Sequence, residues 1–299
     1  MKREIVDFFK MNDVKFKENY LLSRISTIRI GKTADFIAYP DSIEKIVKLA
    51  CFLQKHKIEH KILGRMSNIL PSDYKYKGVI VRTDLLSGVE IKGKCVEVGA
   101  GISLPNIAMI SADAGLSGFE EISGIPGSAG GSIVGNAGAF GREISDIISR
   151  VKIFDYETLS VEEYKNEKLE FNYRTSALKN SNKVVLSAEF SLARSDKDKI
   201  KKQIQEYRDR RTLTQPVGKP SLGCVFKRVT EEKSAAWYID KCKLKGYSIG
   251  GAKVSEKHAG FIINQGGATA GDYNVLVDYI TQCVYNKFGV VLEKEIEIM

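Results

Sequence analysis

GIPGSAGGSIVGNAGAFG, residues 124–141, is the stretch from which the rest of this chain is read. Seven of its eighteen positions are glycine, most of the others are small, and none is charged. Such residues bury little apolar area, so the stretch makes a poor core. It makes a good backbone for close approach, because glycine accepts positive φ and has no Cβ in the way. Consecutive N–H groups of such a segment can point at an anion such as a pyrophosphate. A tight-turn loop or a glycine-kinked strand is the competing reading. The length of the stretch and the insert Asn136-Ala137-Gly138 favour a nucleotide-binding loop.

Outward from there, the chain is ordinary for a globular protein. Its 299 residues suffice for two or three modest domains, with 43% hydrophobic and 28% charged residues. The net charge of +9 is spread out, and the densest basic run, Lys197 to Arg211, is interrupted by Asp198, Glu206 and Asp209. That pattern suits small anionic ligands and argues against nucleic acid. Five cysteines form no C-x-x-C pair, and residues 1–11 contain no apolar signal-peptide core. The expectation is a reducing cytoplasm and no disulfides. No apolar run is long enough for a membrane helix, and three unclustered histidines argue against a protein-bound metal.

Taken in order, residues 1–20 predict a helix and a polar lead-in. STIRIGKTADFIAYP (26–40) reads as two short strands and a turn. Asp41 and Glu44 mark a helix start, followed by an apolar face of Ile43, Ile46, Val47, Ala50 and Leu53. HKILGRMSN runs from a strand into a loop at Gly64–Asn68, whose Ser67 and Asn68 offer hydrogen bonds to a second part of a nucleotide. Residues 89–101 read as a hairpin turning at Lys92-Gly93-Lys94, and Pro105 to Gly115 brackets a helix. Strands at 151–155 and 184–193 flank EFNYRTSALKN. A charged helix capped by Ser195 or Asp196 leads to a domain boundary near 195–210. Helices at Ser234–Lys241 and around Leu276, Ile280, Cys283 and Val284 follow, and EKEIEIM (293–299) alternates like a strand.

With those segments laid out, the chain resembles the MurB family of UDP-N-acetylenolpyruvoylglucosamine reductases, in its compact second type. The resemblance covers nearly the whole chain. It is carried by STIRIG (26–31), LGRMSN (63–68), GLSGFEEISGIPGSAGG with GNAGAFGREI (115–144), FNYRTS (171–176), RRTLTQP (210–216), PSLGCVFK (220–227), GGAKVSEKHAGFIIN (250–264) and FGVVLEKEIEI (288–298). The resemblance implies an α+β protein. An FAD-binding region of vanillyl-alcohol-oxidase (PCMH) type would occupy residues 1–200, with subdomains at about 1–80 and 81–200. A C-terminal α+β domain for a UDP-sugar would occupy 201–299, its last strand returning toward the first subdomain. FAD would lie on Gly124, Pro126, Gly127, Ser128, Gly130, Gly131, Asn136, Ala137 and Gly138, helped by Gly64, Arg65, Met66, Ser67 and Asn68. NADPH would be the co-substrate and UDP-N-acetylglucosamine enolpyruvate the substrate. The family implies a monomer or weak dimer, with no nucleic acid and no membrane as partner.

Reducing an enol ether leaves negative charge beside a carboxylate, which needs a cation and then a proton on carbon. Arg174 in FNYRTS matches the family's catalytic arginine, and a guanidinium fork fits a carboxylate bidentately. Glu293, Glu295 and Glu297 share one alternating face, so the pattern does not choose among them. The family's register selects Glu295. Cys224 stands where the family usually has a proton-donating serine. An ordinary thiol is the stronger acid and stays mostly protonated at neutral pH. Tyr173, Gln215 and Lys227 are expected at the substrate, and His258 in a structural or substrate-loop role. LGRMSN keeps one glycine, Gly64, where the family typically has two or three. Arg65 could offset that loss by pairing with a phosphate. A catalytically impaired flavin- or nucleotide-binding relative is the alternative to which these two departures point. An oxidase of the vanillyl-alcohol type would share the N-terminal half but lack PSLGCVFK and VSEKHAGF.

Overall fold

The structure is a computed structural model that describes residues 2–299. Its internal contacts divide the chain into two units, each made of several separated segments. The first contains the chain through Tyr20, Asp35–Arg65 and Lys77–Asp209. The second contains Leu21–Ala34, Met66–Tyr76 and Arg210–Met299.

In the first unit, the expected N-terminal helix is α1 (Lys2–Met11), with Met1 outside the described residues. A sheet of order β1-β2-β4-β3 follows, from Lys15–Leu21, Thr33–Tyr39, Tyr76–Arg82 and His60–Leu63 respectively. Helix α2 (Ile43–Lys55) belongs with it. Ser42, not Asp41, caps α2 by accepting from the Lys45 N–H at 3.2 Å. Asp41 instead pairs with the Lys45 ammonium, 3.0 Å away. The buried face of α2 is Ile46, Leu49, Ala50 and Leu53, packed with Phe9, Phe36, Val79 and Val81. Each such large side chain, fully buried, contributes about 1.5–3 kcal/mol.

A five-stranded sheet has the order β8-β7-β9-β6-β5, built from Ser160–Lys165, Ile148–Asp155, Lys183–Ser191, Cys95–Gly99 and Val89–Lys92. The β5–β6 pairing is the expected hairpin, with Gly93 at φ 63° in its turn. One face carries Val96, Val98, Val151, Ile153 and Phe190 into a core. Helices α3 (Leu104–Asp113), α4 (Ala129–Val134) and α5 (Lys197–Thr214) contribute to that core. Ser103 caps α3 and Asp196 accepts from the Lys199 N–H at the start of α5. The glycine-rich stretch enters α4 against the sheet. Gly130 donates to the Ala100 carbonyl at 2.9 Å, and a Cβ there would stand 3.0 Å from the Ala100 methyl.

In the second unit, β10 (Ser221–Cys224), β11 (Ser248–Ile249), β12 (Ala252–Val254) and β13 (Phe261–Asn264) form a sheet of order β10-β13-β12-β11. Helices α6 (Ala235–Lys241) and α7 (Ala270–Phe288) share a core with it, centred on Tyr273, Leu276, Val277 and Ile280. A Thr269–Asp272 capping box starts α7 and Gly289 ends it at φ 66°. STIRIG is not the expected strand. Arg29 is left-handed at φ 57°, and the Ser26 hydroxyl donates to the Ile30 carbonyl at 3.0 Å, closing a local loop. Ile28 and Ile30 are nevertheless buried, which explains why the loop alternates like a strand. The C-terminal strand shrinks to Glu297–Ile298, parallel to Ile69–Leu70. No described helix is long and apolar enough to cross a membrane.

Candidate functional site

The glycine-rich stretch divides into two parts with different partners. Gly127 and Ser128 are buried, yet among the described residues neither N–H has a protein acceptor. Buried orphan N–H groups are rare in folded proteins, so this pair calls for an acceptor from outside the chain. Ser128 Oγ is already engaged as the cap of α4, accepting from Gly131. Gly130 is committed to packing. Gly64 belongs to the same place: a Cβ on it would stand 2.1 Å from Ser128 Oγ. The loop after β3 thus passes directly over the start of α4. The N–H groups of Arg65, Met66 and Ser67 also lack an acceptor among the described residues. Met66 is left-handed at φ 54° and buried despite its Cβ, so this glycine-poor loop keeps one glycine-like turn. Successive N–H groups around such a residue form an anion-holding concavity. Arg65 is exposed.

The second part, Asn136 to Gly138, holds Arg174. FNYRTS makes a tight turn in which Asn172 and Thr175 exchange backbone hydrogen bonds of 3.1 Å. Arg174 sits in it at φ 56°, a conformation costing roughly 1–3 kcal/mol for a residue with a Cβ. Its Nη2 donates to the Gly138 carbonyl at 2.9 Å and its Nη1 to the Asn136 carbonyl at 3.4 Å. The Glu143 carboxylate lies 3.9 Å from Nη1. Asn136 is 1% exposed and its amide serves the protein. Nδ2 donates to Glu143 at 2.8 Å and to the Asn172 carbonyl at 3.2 Å, while Oδ1 accepts from the Ser145 N–H at 3.1 Å. The Asn136 side chain therefore ties down the turn that carries Arg174. The Tyr173 ring lies 5.1 Å from the guanidinium carbon of Arg174.

In the second unit, PSLGCVFK is placed between two partners. On one side, Cys224 pairs with Phe261 and Val225 donates to the Gly260 carbonyl at 2.9 Å. On the other, Glu295 N–H donates to the Val225 carbonyl at 2.8 Å and Lys227 N–H to the Glu293 carbonyl at 2.9 Å. Cys224 and Glu295, distant in sequence, thus lie on neighbouring backbones. Asn68 Nδ2 donates to the Glu295 carbonyl at 3.0 Å. Glu295 is partly buried whereas Glu293 and Glu297 are exposed, a distinction the alternation could not make. Lys227 is paired with Glu293 at 2.5 Å. The half-buried Arg211 interacts electrostatically with Cys224, and burial holds its pKa below the usual value. Burial likewise lowers the pKa of His258, with Lys245 adding to the effect, and its Nδ1 accepts from the Gly260 N–H at 3.1 Å. Gln215 continues the turn after α5, donating its N–H to the Arg211 carbonyl.

Sequence reasoning passes over Glu143 and Asn172. The available signal was Glu143 in GREI, the nearest carboxylate after an otherwise uncharged stretch.

The comparisons with known proteins agree across the chain. Residues 215–299 match the family model for the C-terminal domain of UDP-N-acetylenolpyruvoylglucosamine reductase, and residues 34–158 match the FAD binding domain. The UDP-N-acetylenolpyruvoylglucosamine reductase of Caldanaerobacter subterraneus subsp. tengcongensis is 41% identical over 100% of this chain and 99% of its own. That of Carboxydothermus hydrogenoformans is 41% identical over 94% of this chain and 93% of its own. The crystal structure of the Thermus caldophilus reductase superimposes with a TM-score of 0.81 at 30% identity, covering 95% of this chain and 98% of that one. Physcomitrella patens BBE-like 1 shares the fold alone, at a TM-score of 0.50 and 16% identity over 64% of this chain and 44% of its own.

Proposed function

The chain belongs to the UDP-N-acetylenolpyruvoylglucosamine reductase family and is an FAD-dependent oxidoreductase, and from that premise we propose the reaction and the residues that perform it. The substrate is UDP-N-acetylglucosamine enolpyruvate, the product UDP-N-acetylmuramate for peptidoglycan synthesis, and the reductant NADPH. The enzyme works in the cytoplasm as a monomer or weak dimer.

The residues present fit FAD. The acceptor-less N–H groups of Gly127 and Ser128 suit a pyrophosphate, and Gly124–Gly141 places no carboxylate among them. Gly64, Arg65, Met66 and Ser67 would complete the hold. A bound FAD would supply the hydride that reduces the methylene carbon of the enolpyruvyl group, with NADPH as the source of the reducing equivalents.

Arg174 grips the substrate carboxylate and offsets the negative charge that grows on it as the enolate forms. Its hydrogen bonds to the Asn136 and Gly138 carbonyls limit the guanidinium's freedom before substrate arrives. Cys224 gives its Sγ proton to the neighbouring carbon, completing the reduction, and takes a proton back from solvent. Glu295, partly buried, steadies the enolic oxygen with a hydrogen bond in its protonated form. Lys227 meets a phosphate or carboxylate of the substrate, with Tyr173 and Gln215 as further contacts. The observation that carries this reading is the backbone pairing of residues 225–227 with 293–295, which gives Cys224 and Glu295 one local frame. The test is steady-state NADPH oxidation by the flavin-loaded protein. Oxidation that depends on the UDP-enolpyruvyl sugar supports the proposal. Retained flavin without that dependence identifies an impaired relative and overturns it.

A further inference from the structure

The Glu143 carboxylate lies by both the Arg174 guanidinium and Asn136, the residue that supplies one of the guanidinium's acceptors. We propose that Glu143 is a positioning residue for Arg174, acting mainly through Asn136. The inference rests on the assignment of Arg174 to the substrate carboxylate. Glu143 Oε2 accepts from Asn136 Nδ2 at 2.8 Å, whereas its other oxygen is 3.9 Å from Arg174 Nη1. The first is a hydrogen bond and the second is too long to be one. The strong link therefore runs from Glu143 to the Asn136 side chain, whose own carbonyl accepts from Arg174. Asn136 Nδ2 also holds the Asn172 carbonyl, which fixes the turn carrying Arg174. Glu143 is anchored in return, since its N–H donates to Asp146 Oδ2 at 2.8 Å and its strand residue pairs with Gly138. All of these groups lie within residues 136–174 of the first unit.

The carboxylate's role in this chain is to accept a hydrogen bond, and an amide oxygen at the same place does the same. Glu143→Gln therefore keeps the link and Glu143→Ala removes it. The experiment uses flavin-loaded parent, Glu143→Gln, Glu143→Ala and Arg174→Ala proteins. It follows flavin bleaching by NADPH and its recolouring by the UDP-enolpyruvyl sugar in separate anaerobic mixings, together with flavin content and melting temperature. Misplacing a reacting group by an ångström costs on the order of 100-fold, so Glu143→Ala is expected to slow recolouring by about 10- to 100-fold. Bleaching and flavin content stay at the parent's level, and Glu143→Gln recovers most of the recolouring rate. Three results overturn the inference: parental recolouring in Glu143→Ala, no recovery in Glu143→Gln, or equal loss of both half-reactions with loss of flavin. Parental recolouring in Arg174→Ala would instead overturn the role given to the arginine itself.

Discussion

Replacing Gly138 by alanine tests how the arginine is held. A methyl at this position would stand 2.8 Å from Glu143 Cγ, 2.9 Å from the Arg142 carbonyl oxygen and 3.2 Å from Arg174 Nη1. Residue 138 is not in the left-handed region, so alanine's own dihedral preferences are not the obstacle. The obstacle is the Arg142 carbonyl. It belongs to the two-residue ladder in which Gly138 faces Glu143 and Ala139 faces Arg142, so it cannot rotate away as a side chain would. The ladder must open, and it takes with it the Gly138 carbonyl that accepts from Arg174 Nη2 at 2.9 Å. A hydrogen bond to a charged group is worth about 1.5–3 kcal/mol, and each 1.4 kcal/mol is tenfold. Full loss therefore slows the step that needs Arg174 by about 10- to 100-fold. The assay is anaerobic stopped-flow absorbance of protein already reduced by NADPH and mixed with the UDP-enolpyruvyl sugar. Reduction by NADPH should be unchanged, because Gly127 and Ser128 are not part of this ladder. Recolouring within about twofold of the parent would refute the reasoning, since a lost charged hydrogen bond cannot be that cheap.

Three more outcomes are expected. Cys224→Ser retains measurable turnover, whereas Cys224→Ala is still bleached by NADPH but stalls in the presence of substrate. Undiminished turnover in the alanine variant removes Cys224 from the proton transfer. Arg65→Ala weakens FAD binding at low salt with the difference fading at high salt, because an exposed charge acts through a screened interaction. Equal affinity for FAD at both salt levels dismisses Arg65. Burial lowers the pKa of His258 below the ordinary 6.5, so the folded protein favours its neutral form. Above that value the two states hold the same neutral ring. As the pH falls below it, the unfolded chain gains the proton first and stability is lost. Melting temperature should therefore fall more steeply from about pH 7 to about pH 5 in the parent than in His258→Gln, and identical slopes would contradict this.

Much of the fold is written locally. The hairpin at 89–101, the helix bracketed by Pro105 and Gly115, and the helix after Ser234 all depend on turn and cap residues close to them, and they form as read. STIRIG misleads because burial of Ile28 and Ile30 follows a strand's period, while its carbonyls accept from side chains, Ile30 from Ser26 in the same loop and Ile28 from the remote Asn264, and not from a neighbouring strand. Nothing local in residues 293–299 distinguishes a two-residue strand from a seven-residue one, because the pairing partner, Ile69–Leu70, is remote. The site behaves the same way. The small, uncharged character of Gly124–Gly141 already implies close backbone approach. That Asn136–Gly138 holds an arginine, while Gly127 and Ser128 keep their N–H groups available, depends on where FNYRTS folds back. Left-handed Met66 is likewise invisible in sequence, where a bulky residue argues against such a turn.

The central claim is that this chain passes reducing equivalents to an enolpyruvyl sugar. Its most direct test is a single turnover without oxygen. The yellow protein is bleached with NADPH, freed of nicotinamide, and mixed with UDP-N-acetylglucosamine enolpyruvate. The account predicts rapid return of flavin colour, with one UDP-N-acetylmuramate formed per flavin. A protein that stays bleached with that sugar present, or recolours without forming the product, contradicts it.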